Sequence, residues 1–245
     1  MAGERMPEGL PPMTLPTGSD AAATDAARRA IRVQMLATEH WSLLATRSMS
    51  WNESFVRAGM FLTLLSGAVV ALALVAQATE FGEGFILFAV LVLPVVLFVG
   101  LATYVRLIEV QNEDVVWVRG MNRLRRAYLE IDPELARHFV TGSTEDAAGV
   151  LRTYGTHISD GSNLLHGFVT TPATIAFVVS MVSAVLGAIL VGRIGMQMTP
   201  AAGIGVVIFL LTFAILAVYG YRSTVMATLV SREVGDSGET PDGTG

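Results

Sequence analysis

The chain has no cysteine and no lysine, and it has few charged residues of any kind. The absence of cysteine excludes disulfide bonds and thiolate metal sites. Charged residues make up only 15% of the 245 residues, and hydrophobic residues make up 52%. An ordinary soluble domain carries roughly 25% charged residues. This composition argues against a soluble globular enzyme.

The chain does have four long apolar stretches without a single Asp, Glu, Arg or His. They cover residues 58–77, 85–105, 168–191 and 201–219. Each is close to the ~20 residues that cross a bilayer core as an α-helix. The sequence therefore predicts an all-α integral membrane protein, with four transmembrane helices forming two hairpins in the lipid bilayer. Charges inside spans mark ion and proton pathways, so their absence argues against a coupled transporter.

The orientation of these spans follows from the distribution of arginine. Fifteen of the 16 arginines precede the first span, lie between spans two and three, or follow span four, and Arg193 alone lies between spans three and four. Loops rich in basic residues remain in the cytoplasm. We therefore expect both termini and the central segment to be cytoplasmic, and the two short loops to lie outside.

The segments outside the spans divide into tails and helices. Proline and small polar residues predict disorder for 1–23 and for most of the cytoplasmic tail 220–245. Apolar residues at helical spacing predict an amphipathic cytoplasmic helix over 24–49. Ser50 and Glu53 match a capping box, which predicts a new helix leading into the first hairpin, 50–105.

The central segment, 106–167, is predicted to form a cytoplasmic helical layer. The second span continues as a helix to about Glu130, and Asp132 before Pro133 predicts a short helix ending near Thr141. Ser143 and Asp146 are expected to cap another helix, which ends near Tyr154. A loop then leads to the second hairpin, 168–219.

Four charged residues near the first hairpin form candidate structural ion pairs. The loop centre near Phe81 places residues of spans one and two level when their numbers sum to about 162. Arg57 can then reach Glu109, and Glu53 can reach Arg106, at the cytoplasmic membrane boundary, where partial desolvation strengthens such pairs. We expect this crossed clamp to fix the register of the hairpin. The alternative is a gating or sensing role.

A second candidate site is a face of the helix that follows span two. Arg119, Arg123 and Arg126 recur at helical spacing with Trp117 and Tyr128 nearby, which suggests a partner-binding face with affinity for phosphate groups. Arg126 lies about 30 Å beyond the span, which argues against lipid head groups as its ligands. The net acidic character of 106–167 argues against nucleic acid. The alternative is that these arginines pair with nearby carboxylates or are solvated.

The sequence offers no support for catalysis, a cofactor or a metal. No G-x-S-x-G, H-E-x-x-H or P-loop pattern occurs. His138, His157 and His166, with Asp160 nearby, have spacings that match no recognised ligand pattern. We therefore expect a protein that is not an enzyme.

The stretches WSLLATRSMSWNESF, from Trp41, and GMNRLRRAYLEIDPEL, from Gly120, resemble segments of an uncharacterised family of bacterial multi-pass inner-membrane proteins with paired hydrophobic hairpins. The resemblance implies a bacterial inner-membrane protein without an assigned activity. We expect a non-enzymatic scaffold or regulator whose cytoplasmic helices bind a second copy or another protein. The alternative is a homo-oligomeric channel lined by Thr170, Thr171, Thr174 and Ser180, and a lipid-modifying enzyme comes third.

Overall fold

The computed structural model describes residues 18–155, 170–195 and 198–236, and throughout these residues the chain is all-α. The elements are α1 (Gly18–Thr79), α2 (Glu83–Ile131), a 3-10 helix (Pro133–His138), α3 (Ala147–Thr153), α4 (Thr171–Arg193) and α5 (Met198–Asp236). Four of them, α1, α2, α4 and α5, contain a segment long and apolar enough to cross a membrane. The predictions of an all-α fold and of four membrane-length helices are confirmed.

The first helix is longer than predicted and has no break at Ser50. It begins at Gly18, inside the predicted tail 1–23, and runs about 93 Å to Thr79. Ser50 lies inside this unbroken helix, and its carbonyl accepts a hydrogen bond from Ser54 Oγ at 3.1 Å. The predicted capping box is wrong because one continuous face of α1 packs on α2 on both sides of this position. Residues 1–17 lie outside the described part.

A three-residue turn joins α1 to α2. Glu80 and Phe81 adopt left-handed backbone conformations with φ of 47° and 59°, and Gly82 is the N-cap of α2. The turn sits where the loop centre was predicted. Residues whose numbers sum to about 162 therefore face each other along the two helices, as Phe61 faces Gly100.

The main apolar core forms where α1, α2 and α4 meet. Phe61 is 1% exposed and Val179 is fully buried. A Cβ atom at Gly100 would lie 2.7 Å from Val179 Cγ2 and 2.8 Å from Phe61 Cε2. Only glycine therefore allows the three helices to approach this closely at this level.

Helices α4 and α5 pack on each other and on α2. The Tyr104 hydroxyl of α2 donates to the Leu216 carbonyl of α5 at 2.6 Å. At the other end of the apolar segments, Arg193 Nη1 lies 2.8 Å from Glu83 Oε1. These two contacts tie α2 to its neighbours near both ends of its apolar segment.

Beyond the apolar segments, α1 and α2 continue side by side as polar extensions, 18–57 of α1 and 106–131 of α2. The extension of α2 is about 39 Å long. A second, smaller core lies there, in which Val115, Val118 and Met121 of α2 pack with Val150 of α3, and Leu43 of α1 covers it. The extensions and α3 thus form a packed layer of their own.

The 3-10 helix begins where the sequence predicted, but α3 begins at Ala147 with Asp146 as its N-cap, three residues after the predicted cap at Ser143. Asp132 caps the 3-10 helix by accepting from the Glu134 amide at 3.0 Å, and Asp146 caps α3 by accepting from the Gly149 amide at 3.0 Å. The first of these helices ends at His138 rather than near Thr141. It buries none of its residues, so no packing favours a longer helix.

The second pair of long helices also differs from prediction at its ends. Helix α4 begins at Thr171, with Pro172 in its first turn, where proline is tolerated. Helix α5 continues to Asp236, well into the segment 220–245 that was predicted to be largely disordered. Residues 221–234 contain neither glycine nor proline, so nothing in the sequence stops the helix there. Residues 156–169 and 237–245 lie outside the described part.

Candidate functional site

A buried carboxylate lies between the polar extensions. The Asp114 side chain is 2% exposed. Its Oδ1 accepts from Arg47 Nε at 2.6 Å and from Trp51 Nε1 at 3.2 Å, and its Oδ2 accepts from Arg47 Nη2 at 3.2 Å and the Tyr154 hydroxyl at 2.7 Å. We call Arg47, Trp51, Asp114 and Tyr154 the Asp114 cluster. Four hydrogen bonds thus converge on this one carboxylate.

The Asp114 cluster joins three parts of the chain. Arg47 and Trp51 belong to α1, Asp114 belongs to α2, and Tyr154 is the C-cap of α3. The Arg47 guanidinium also lies 5.6 Å from the centroid of the Tyr154 ring, within the range of a cation–π contact. Burial, together with the adjacent carboxylate, raises the pKa of Tyr154 above its ordinary value of 10.0. Tyr154 is therefore a neutral donor at physiological pH.

The hydrogen bonding of the Asp114 cluster favours a structural role, in which it holds the extensions together, over a catalytic role. Both oxygens of Asp114 are occupied by protein donors, so the carboxylate is not placed to exchange protons with a substrate. A buried ion pair is costly to break because one charge is then left without its partner. The cluster lies about 13 Å beyond the last residue of the 85–105 stretch. It therefore holds the packed layer together outside the apolar segments.

A second polar anchor lies further along α2. Asn122 is fully buried. Its Nδ2 donates to the Thr144 carbonyl at 2.8 Å, and its Oδ1 accepts from Arg125 Nη1 at 2.7 Å and from Thr153 Oγ1 at 2.9 Å. Both polar atoms of this side chain thus have partners, and the bonds to Thr144 and Thr153 hold the segment around α3 against α2.

Two glycines allow that segment to fold tightly. A Cβ atom on Gly142 would collide with the backbone of Gly149, and one on Gly149 would collide with Thr144. The Gly142 amide donates to Thr153 Oγ1 at 3.1 Å. The close approach of Gly142 to α3 therefore requires glycine at both positions.

The predicted clamp at the membrane boundary is half correct. Arg106 reaches across to Glu53 as predicted, with Nε 3.2 Å from Oε1 and Nη2 3.3 Å from Oε2. The predicted pair between Arg57 and Glu109 is wrong. Arg57 instead binds Glu53 on its own helix at 2.8 Å, and Glu109 binds Arg106 at 3.2 Å.

Glu109 does not pair with Arg57 because Arg106 binds carboxylates from both helices. Its Nη1 also lies 3.2 Å from Glu113, so Arg106 faces three carboxylates. Hydrogen bonds from Arg106 and then Arg57 lower the pKa of Glu53. Glu53, Arg57, Arg106, Glu109 and Glu113 therefore form one network, which we call the boundary network. The pairs of Arg57 with Glu53 and of Arg106 with Glu109 each form within one helix, where residues three or four apart are already neighbours. They are therefore favoured over the predicted pair of Arg57 with Glu109, which would have to reach between helices.

The predicted partner-binding face is partly occupied by the chain itself. Arg123 forms a double hydrogen bond with Glu145, with Nε 3.0 Å from Oε1 and Nη2 2.6 Å from Oε2. The Tyr128 ring stacks on His40 of α1 at a centroid distance of 6.2 Å. Trp117 and Arg119 are half-buried, whereas Arg126 is exposed. Within the predicted set, Arg126 is thus the most open to a partner.

Sequence reasoning missed Asp114, although the signal was present. The register that correctly paired Glu53 with Arg106 also places Asp114 level with Ser48, next to Arg47. Extending the comparison two turns beyond the boundary would have found the pair. Tyr154 could not have been assigned in this way, because the position of α3 depends on tertiary packing.

Most of the side chains considered as metal ligands lie outside the described residues, namely His157, Asp160 and His166. His138 is described, and its Nε2 accepts from Arg137 Nε at 3.3 Å. Among the described residues no three metal-ligating side chains come together.

Comparison with known proteins identifies no relative. No family model, curated protein or solved structure gives a significant match to the chain. Function is therefore inferred from the geometry of the extensions and their surfaces.

Proposed function

We propose that the protein is a four-span protein of a bacterial inner membrane, with both termini in the cytoplasm. It acts as a non-enzymatic scaffold or regulator. Its spans form two hairpins, and the polar extensions with α3 form its cytoplasmic layer. The asymmetry of arginine supports this orientation, and the resemblance of the segments from Trp41 and Gly120 supports the bacterial assignment.

The observation that carries the scaffold role is an exposed apolar surface on the α1 extension. Met35, Trp41 and Met49 are 68%, 71% and 74% exposed. Helical spacing puts them on the side of α1 away from Arg47 and Ser54, which face α2. In the proposed topology this surface lies in the cytoplasm, where lipid does not cover it. Such patches are typical of protein–protein contacts.

The extensions can transmit the effect of a bound partner to the spans, because each extension and its span belong to one continuous helix. Helices α1 and α2 run without interruption from the apolar segments into the layer. The Asp114 cluster and the boundary network then hold the two helices in register. A partner bound to α1 is thereby connected to the membrane segments through two unbroken helices.

The channel alternative receives less support. Ser180, one of its proposed lining residues, is fully buried within a single copy, and its hydroxyl donates to the Ala176 carbonyl at 2.7 Å. The Thr174 hydroxyl likewise donates to its own helix, to the Thr170 carbonyl at 3.2 Å. A pore between copies would need these groups on an outer face.

Site-specific photo-crosslinking in cells tests the proposal. A photoreactive amino acid at Met35, Trp41 or Met49 is expected to give one discrete adduct, at twice the monomer mass of 26.1 kDa for a second copy and at another mass for a different partner. Val140, which is 88% exposed and belongs to the loop between the 3-10 helix and α3, is the control position. Equal adducts at Val140 and on α1, or none on α1, would contradict the proposed surface.

A further inference from the structure

One arginine at the edge of the apolar segments differs from the others. Arg57 and Arg106 are paired with Glu53, and Arg193 is paired with Glu83. Arg222, the first charged residue after the 201–219 stretch, is exposed. No carboxylate of the described residues lies within 4.0 Å of it. Arg222 is thus a boundary cation whose charge the described part of the protein does not neutralise.

Arg222 stands at the end of an apolar groove. The groove has a volume of about 680 Å³ and runs along α5. Its apolar wall includes Leu211, Ile215 and Val218, and its polar end consists of Tyr219, Arg222 and Ser223. The three apolar side chains are 59%, 66% and 55% exposed. The described lining residues all belong to α5, and these three apolar ones are more than half exposed, so the groove is shallow and open, apolar along most of its length and cationic at one end.

The length of the groove matches one leaflet of a membrane. Eleven residues of helix separate Leu211 from Arg222, which corresponds to about 16 Å. A hydrocarbon core of about 30 Å gives each leaflet about 15 Å. An acyl chain lying against Leu211, Ile215 and Val218 would thus bring its head group to the level of Arg222.

Two contacts hold the polar end of the groove in place. Asn112 Nδ2 of α2 donates to Ser223 Oγ at 2.7 Å. About two turns before Ser223, the Tyr104 hydroxyl donates to the Leu216 carbonyl at 2.6 Å. Arg222 is therefore presented from a helix that is fixed on its other side, which lowers the entropy lost on binding.

We propose that this groove binds one anionic glycerophospholipid of the cytoplasmic leaflet. Its phosphate lies on the Arg222 guanidinium, and one acyl chain lies along the apolar wall. The hydroxyl groups of Tyr219 and Ser223 can donate to the remaining head-group oxygens. The site rests on the four-span embedding proposed above but is independent of the partner surface on α1.

Native mass spectrometry of the full-length, delipidated protein tests the site. Phosphatidylglycerol is titrated into the wild type and Arg222→Gln, and Arg57→Gln serves as a matched loss of a boundary arginine that already has a carboxylate partner. One arginine near a charged lipid surface corresponds to about fivefold in affinity. We expect Arg222→Gln to bind about fivefold more weakly and Arg57→Gln to bind like the wild type.

A second variant and a second lipid make the result decisive. Ile215→Trp, which fills the groove without removing charge, is expected to weaken binding of the same lipid. Wild type should bind phosphatidylcholine with matched acyl chains more weakly than phosphatidylglycerol. Equal binding of the two lipids, or unchanged binding by Arg222→Gln, would overturn the proposal.

Two further experiments test separately whether the site binds a lipid or a free anion and whether the protein is embedded in a membrane. Displacement of phosphatidylglycerol by millimolar inorganic phosphate would indicate a site for free anions and overturn the lipid assignment. Resistance of the protein to carbonate extraction from membranes is expected. Extraction into the soluble fraction would overturn the embedding itself, whereas failure of photo-crosslinking on α1 would leave the lipid result unaffected.

Discussion

Replacing Tyr154 with phenylalanine tests whether Asp114 fastens α3 to the two long helices. The Tyr154 hydroxyl donates to Asp114 Oδ2 at 2.7 Å, and the acceptor is 2% exposed. The substitution removes this one hydrogen bond and keeps the ring that packs on the second core. The ion pair between Arg47 and Asp114 remains, so the perturbation is confined to one donor.

The expected magnitude follows from the charge and burial of the acceptor. A hydrogen bond to a charged group contributes about 1.5–3 kcal/mol. Because the lost donor leaves a buried carboxylate oxygen with one partner fewer, we expect a cost within this range. That corresponds to a rise of about 10- to 150-fold in the equilibrium constant for local opening of α3.

Amide hydrogen exchange of the detergent-solubilised protein measures this opening directly. Peptides covering α3 should lose protection by that factor, whereas peptides from the apolar segment 85–105 should keep theirs. Tyr128→Phe is the matched control, because Tyr128 stacks on His40 and its ring remains. Equal loss of protection in both variants, or none in Tyr154→Phe, would refute the assignment of Asp114 as the fastening point of α3.

Two further predictions concern packing and pH. Gly100→Ala should lower the free energy of unfolding by about 1–3 kcal/mol because its Cβ overlaps two neighbouring helices. Gly59→Ala, whose Cβ meets nothing within 4 Å, should be neutral or stabilising by up to about 1 kcal/mol, and thermal melting compares the two. The double hydrogen bond from Arg123 lowers the pKa of Glu145 below its ordinary 4.5. Stability from this pair is therefore present above about pH 4.5 and is lost as pH falls through the lower folded-state pKa. The melting temperatures of wild type and Glu145→Gln should converge over that acidic range, and a constant difference would contradict the assignment.

The extent of the four membrane-length helices was readable from the sequence because it follows from local composition. About 20 consecutive residues without charge have few structural alternatives to a spanning helix. The position of the first turn was equally local, since only the short segment 78–84 separates the first two stretches. From that turn, the constant rise of a helix fixes which residues face each other, and the contact of Glu53 with Arg106 follows.

Helix ends and the choice among ion-pair partners needed the tertiary structure. Ser50 and Glu53 carry a local start signal, but the continuous face of α1 on α2 overrides it. Arg57 had two carboxylates within reach, and the nearer one, on its own helix, formed the pair.

The contact between Tyr154 and Asp114 depended entirely on folding. Tyr154 lies 40 residues from Asp114 along the chain, and only the docking of α3 on the second core brings the two together. No local pattern encodes that distance. The sequence alone thus determined the membrane-length helices and the register of the first pair, because both depend on local geometry. The tertiary structure decided which charges are buried and which, like Arg222, remain open, because burial depends on where distant segments pack.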